Sequence, residues 1–167
     1  MSKTTKAFGH PIHQMLIVFP LGLLATSVIF DILYFSRNEV NFGIASYYML
    51  AAGIIGALLA AIFGFMDWLN VPANTRASSV ATWHGGGNVV VTLLFLISWY
   101  LRRDMLIPDS TTLTFAVVGL LLALMTAWMG GELVNRLGIG VDEGANPNAP
   151  SSLRTGHTAS EEWRHSH

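Results

Sequence analysis

The chain has 167 residues, 52% hydrophobic and only 11% charged, where a soluble domain carries about 25% charged residues; with a mean hydropathy of +0.50, it is expected to be built for lipid. A net charge of −1 offers no basic surface for a phosphate backbone, which sets nucleic acid aside as a partner. The absence of cysteine excludes iron–sulfur clusters, thioether-linked haem, disulfides and thiolate zinc sites, so any metal must be held by His, Asp, Glu or Met.

Lys3 and Lys6 ahead of an apolar run imitate a secretory signal. The run from Met15 to Phe30 is too long for a signal core and leads into Asp31 without a small-residue cleavage site, so that reading is rejected. Four segments are each near the ~20 residues that ~30 Å of hydrocarbon requires: 14–35, 44–69, 80–101 and 113–135. The linkers are short and polar. The first holds Arg37 and Glu39, the second Pro72 and Arg76, the third Arg102, Arg103, Pro108 and Asp109. Loops this short favour antiparallel neighbours, and the fold class expected is an all-α, integral membrane four-helix bundle running up-down-up-down over residues 1–142. Residues 143–167 are rich in Gly, Asn, Pro and Ser and read as a polar, disordered tail.

Within the first segment, Pro11 suits a first helical position, where its fixed φ is already helical. Pro20 is expected to kink the helix by leaving the Leu16 carbonyl without its usual donor. His13, Pro20, Leu24, Ser27 and Asp31 fall on one stripe. In the second segment Gly53, Ala57, Ala60, Gly64 and Asp67 form a small-residue track suited to close helix packing.

Antiparallel spans bring the start of the first and third segments and the end of the second and fourth to one membrane surface. Gly9-His10-Pro11-Ile12-His13, Asp67-Trp68, Trp83-His84-Gly85-Gly86-Gly87-Asn88 and Gly130-Gly131-Glu132 all sit there. Ionisable groups at helix ends reach water cheaply, so the bland reading has His10 and His13 as interfacial residues, Glu132 paired with Arg136 one turn on, and the glycines as packing aids. Their convergence from four helices points to a site instead.

The donor types limit its chemistry. Haem b needs one or two imidazoles with small residues making room for the macrocycle, and bundles build such sites from facing helices. His13 and His84, on diagonal helices, are the expected iron ligands, with His10 as the alternative; Asn88, one turn below His84, would orient it, and Asp67 would act as a neighbouring charge. The cofactor-binding set is therefore His10, His13, His84, Asn88 and Asp67. The same residues also suit a mononuclear zinc or copper site if Asp67 or Glu132 joins them. A third reading is a non-redox membrane subunit or scaffold. No nucleophile–base pair or phosphate loop is defensible, and a homo-oligomer is left open.

At these residues the chain resembles a bacterial family of four-helix membrane domains of unassigned function that opens with Gly-His-Pro-x-His-Pro. Gly9 to His13, Phe19-Pro20-Leu21-Gly22, Gly130-Gly131-Glu132-Leu133-Val134 and Gly138-Ile139-Gly140-Val141 carry the resemblance, which covers about Phe8 to Asp142. Gln14 stands where the family often has its second proline, and Leu137 where some members place a histidine. Relatives are fused to Rieske or cytochrome modules, so the resemblance implies a redox setting without naming a reaction; the expected protein is a haem b redox component of a bacterial inner membrane, with quinone or a redox protein as electron partner. Lys3, Lys6, Arg76, Arg136 and Arg154 on the terminal side, against Arg37, Arg102 and Arg103, favour cytoplasmic termini.

Overall fold

The computed structural model describes residues 4–153. A two-residue hairpin, β1 (Lys6–Ala7) and β2 (His10–Pro11), turns through Phe8 and Gly9, whose positive φ values of 51° and 84° close the tight reversal. Helices α1 (Ile12–Leu16), α2 (Val18–Arg37), α3 (Val40–Leu69), α4 (Arg76–Leu101) and α5 (Ser110–Asn135) follow. With α1 and α2 read as one broken rod, four helices are long and apolar enough to cross a membrane. The expected bundle is present.

The spans begin two to four residues earlier than hydropathy places them. At about 1.5 Å per residue, a 26-residue helix measures about 39 Å, more than the hydrocarbon thickness. At α4 and α5 the extra residues are mostly polar and capped. Thr75 Oγ1 accepts the Ser78 amide to start α4, and Asp109 with Thr112 forms a reciprocal capping box at α5. Hydropathy registers the lipid-facing stretch; the caps start the helix outside it.

Pro20 acts as expected. With no amide to donate to the Leu16 carbonyl, the first rod is interrupted at Ile17, although the backbone there stays right-handed at φ −62° and ψ −21°. Pro11 differs from expectation: at ψ 121° it is the extended cap residue, not the first helical one. It belongs to β2, and the hairpin sets its conformation.

Two hairpins, α2–α3 and α4–α5, are each tightly packed, and they close into a ring through α3 against α4 and α2 against α5. Leu24, Val28, Leu50, Ile54, Val91, Phe95, Ala116 and Ala123 fill the centre, while large apolar side chains such as Ile55, Leu58, Ile62, Leu121, Leu124 and Met125 face outward. This inversion of a soluble surface is what a bilayer demands.

The second hairpin repeats the first. A Cβ on Gly53 of α3 would strike Leu24 and Leu23 of α2; a Cβ on Gly119 of α5 would strike Phe95 and Leu94 of α4. Leu24 and Phe95, Ser27 and Ser98, and Asp31 and Arg102 each share the 71-residue separation, and a second constant offset relates Ser46 to Thr112 and Gly53 to Gly119. Both copies run in the same direction, the arrangement of parallel repeats about an axis along the membrane normal.

At the end remote from the termini the copies are fastened by charge. Arg102 Nη1 donates to Asp31 Oδ1 at 2.8 Å and Nη2 to Oδ2 at 2.9 Å, with Ser46 and Ser98 hydroxyls accepting from the same guanidinium and Ser98 in turn donating to the Thr112 carbonyl. Both charged side chains are almost wholly buried, at 1% and 0% exposure. Such a pair is tolerable only because the fork geometry and added hydroxyls satisfy its polar atoms. The sequence reading placed Arg102 among the solvated loop charges; it is instead the innermost cation of the bundle.

Candidate functional site

At the opposite end, two imidazoles face each other across the ring. His13 comes from α1 and His84 from α4, with ring centroids 6.4 Å apart and planes at 89°. Each is fixed by the neighbouring helix of its own hairpin. His13 Nδ1–H donates to the Ala60 carbonyl of α3 at 2.9 Å, and His84 Nδ1–H to the Thr126 carbonyl of α5 at 2.8 Å. A carbonyl can only accept, so both rings carry their proton on Nδ1 when neutral and leave the Nε2 lone pair as acceptor or ligand.

Glycine makes both placements possible. A Cβ on Gly64 would lie 2.8 Å from His13 Cε1, and one on Gly130 would lie 3.1 Å from His84 Cε1. Gly64 is four residues after Ala60 and Gly130 four after Thr126, so each acceptor carbonyl sits one helical turn before the gap its imidazole fills. The two half-sites are copies of one design.

One half carries an addition. Asn88 Nδ2 donates to the His84 carbonyl at 2.9 Å and lies 3.2 Å from His84 Nε2; Thr126 Oγ1 donates to Asn88 Oδ1 at 2.9 Å. His84, Asn88 and Thr126 thus form a closed hydrogen-bonded ring. The equivalent positions in the first half are Ile17 and Ala60, which carry no side-chain polar group. Thr126 was not singled out from the sequence, although its spacing four before Gly130 matches that of Ala60 before Gly64.

The other sequence candidates lie apart from this pair. His10 is on β2 with an exposed ring, its Nε2 3.3 Å from Ser152 Oγ. Asp67 Oδ1 accepts the Thr5 amide at 2.7 Å, pinning the N-terminal hairpin to the end of α3. Glu132 pairs with Arg76 of α4 at 2.6 Å and not with Arg136 of its own helix, since the interhelical partner sits opposite it at the bundle mouth. Gly85 and Gly86 are exposed with nothing near them, so they open no space inside, whereas Gly87 lets Thr126 come close. The tail histidines His157, His165 and His167 lie outside the described residues.

Residues 9–143 match the family described as Predicted membrane protein (DUF2231). The chain belongs to this family. No curated protein and no solved structure matches it. Within this DUF2231 chain the match begins at the glycine of the β1–β2 turn and ends beyond α5, so it takes in both half-sites and the Asp31–Arg102 fastening. The DUF2231 description and the four long apolar helices together make this a multi-pass membrane protein.

Proposed function

We propose that this protein is a membrane redox component that holds haem b between His13 and His84 near the terminal-side surface. The observation that carries the reading is the pair of Nδ1-anchored imidazoles from diagonal helices. Two imidazoles sharing one metal ion place their centroids roughly 6 Å apart, from two metal–nitrogen bonds of about 2 Å and the depth of each ring; the observed separation is 6.4 Å.

The donor count supports haem over a bare ion. Among the described residues no three His, Asp or Glu side chains come together, while structural zinc takes four protein ligands and catalytic zinc three. A porphyrin supplies four of its iron's six positions itself, so two imidazoles complete it. Carbonyl acceptors on both Nδ1–H groups hold the rings in the ligating tautomer. Haem so held would supply one-electron chemistry. The chain's part is to orient both rings, exclude water with its apolar helices and bring the group within reach of quinone or a partner redox protein. We place the protein in a bacterial inner membrane with cytoplasmic termini; removing Arg102 from the count of exposed cations leaves the terminal side richer in Lys and Arg.

The test is an absorption spectrum of detergent-purified protein, oxidised and dithionite-reduced, with elemental analysis of the same sample. A Soret band with reducible α and β bands of low-spin character is expected, shifted to high spin or emptied in His13→Ala and in His84→Ala and unchanged in His10→Ala. Stoichiometric zinc or copper without that band would select the bare-metal alternative. Neither, in protein made with ample haem, would leave a scaffold.

A further inference from the structure

The seam between the two helical hairpins is fastened differently at its two ends. Remote from the termini it is closed from within: Arg102 holds Asp31 of α2 and Ser46 of α3 with both charges buried, and Gly43 of α3 lies so near the third loop that a Cβ there would be 2.9 Å from Ile107 and 3.0 Å from Pro108. At the histidine end the two sides of the seam differ. Between α3 and α4 the chain is continuous through the turn at 70–75, and Trp68 Nε1–H donates to Thr82 Oγ1 across it at 3.0 Å. α1 and α5 are not consecutive in the chain, and what crosses from one to the other at the mouth of the bundle is the strap formed by residues 138–153.

The strap leaves α5 through a reversal at Gly138, φ 65°, where the Ile139 amide donates to the Leu133 carbonyl at 2.9 Å. It then lies on the β1–β2 hairpin that leads into His13. A Cβ on Gly140 would be 2.6 Å from Gln14 Nε2 and 3.6 Å from Pro11 Cγ. Lys6 Nζ donates to Asp142 Oδ2 at 3.0 Å, and Ser152 Oγ lies 3.3 Å from His10 Nε2. The Lys6 and Asp142 side chains are 36% and 68% exposed, and an ion pair so open to water holds far less firmly than a buried one. The β1–β2 hairpin itself stays with the first half, because the Thr5 amide is bonded to Asp67 of α3.

We infer that the strap is a latch, and that the molecule opens at the histidine end about a hinge formed by the α3–α4 side and the Asp31–Arg102 pair. The hydrogen bonds of the imidazoles are laid out for such a motion. His13 is bonded to Ala60 and seated on Gly64, both within the first half; His84 is bonded to Thr126 and seated on Gly130, both within the second. When α1 and α5 part, the two rings separate without either losing its Nδ1 bond, and a small solute gains access to them from the water on the terminal side. The device rests on the hairpins and the strap, and not on the haem reading.

The chain has no cysteine, so paired spin labels at introduced cysteines report the motion cleanly in the full-length protein. One pair, Met15→Cys on α1 with Asn135→Cys on α5, spans the latch; the other, Phe35→Cys on α2 with Thr111→Cys on α5, spans the remote end, and all four positions are exposed. Asp142→Lys should raise the population at the longer distance across the latch about fivefold, as expected for the loss of one exposed ion pair, while the remote distance stays unchanged. Combining it with Lys6→Asp, which restores opposite charges, should return the wild-type distribution and shows that the single variant is folded. A latch distance that Asp142→Lys leaves unchanged, a double variant that stays open, or lengthening at both ends together would each overturn the inference.

Discussion

Arg102 grips Asp31 through both arms of its guanidinium, at 2.8 and 2.9 Å, across the seam between the two helical hairpins. Removing one partner strands a charge in the core, which costs about 3–5 kcal/mol, whereas replacing both with apolar groups of similar volume is often neutral. Arg102→Met should therefore be severely destabilised in detergent unfolding, and Asp31→Leu combined with Arg102→Met should recover most of the loss. A double variant no more stable than the single one would mean that the surrounding Ser46 and Ser98 hydroxyls, not the charges, hold this end together.

The glycine gaps make a graded prediction. Gly64→Ala places a methyl 2.8 Å from the His13 ring and Gly130→Ala one 3.1 Å from His84, so the first must displace its imidazole and the second must shift its own by a few tenths of an ångström, at about 1–3 kcal/mol of overpacking. Histidine nitrogen chemical shifts should lose the Nδ1–H signature of His13 in the first variant and of His84 in the second, with the larger change in the first. Gly22→Ala, where no atom lies within 4 Å, should be neutral or stabilising by up to about 1 kcal/mol.

Asp109 ties stability to pH at the loop that precedes α5. The Thr112 amide, above all, holds its carboxyl below the ordinary value of 3.8. A carboxyl depressed in the folded state contributes stability that is full above the unfolded value and is lost as pH falls from there through the lower folded value. Asp109→Ala should cost about 1 kcal/mol at neutral pH, and the gap between it and wild type should narrow below about pH 4. A gap constant from neutral to acid would show that the charge on the cap is immaterial.

Reporter fusions after His167 and at Asn38–Glu39 should report opposite membrane faces, with the first cytoplasmic. Two reporters on the same face would defeat four spans; both reversed would defeat only the orientation.

The sequence spelled out the bundle because lipid-facing residues declare themselves in hydropathy, and antiparallel short loops then dictated that His13 and His84 meet. The Asp31–Arg102 pair stayed hidden for a physical reason. An arginine at a helix end reads as solvated, and its partner lies 71 residues away. The repeat was equally concealed, because equivalent positions keep their job and not their identity: Phe95 for Leu24, Thr112 for Ser46, Arg102 for Asp31. Likewise Gly64 and Gly130 were visible as small residues, but only the packed imidazoles reveal what each one accommodates.

A pair of identical hairpins meeting about a two-fold axis would set each axial residue against its own copy: aspartate against aspartate, or arginine against arginine. Two carboxylates or two guanidinia buried face to face repel. Joining the hairpins in one chain through the Asn70–Thr75 turn lets the two sides of the axis differ, and the molecule uses that freedom twice. At one end opposite charges attract where like charges would have repelled; at the other, one imidazole gained an amide companion that its twin does without.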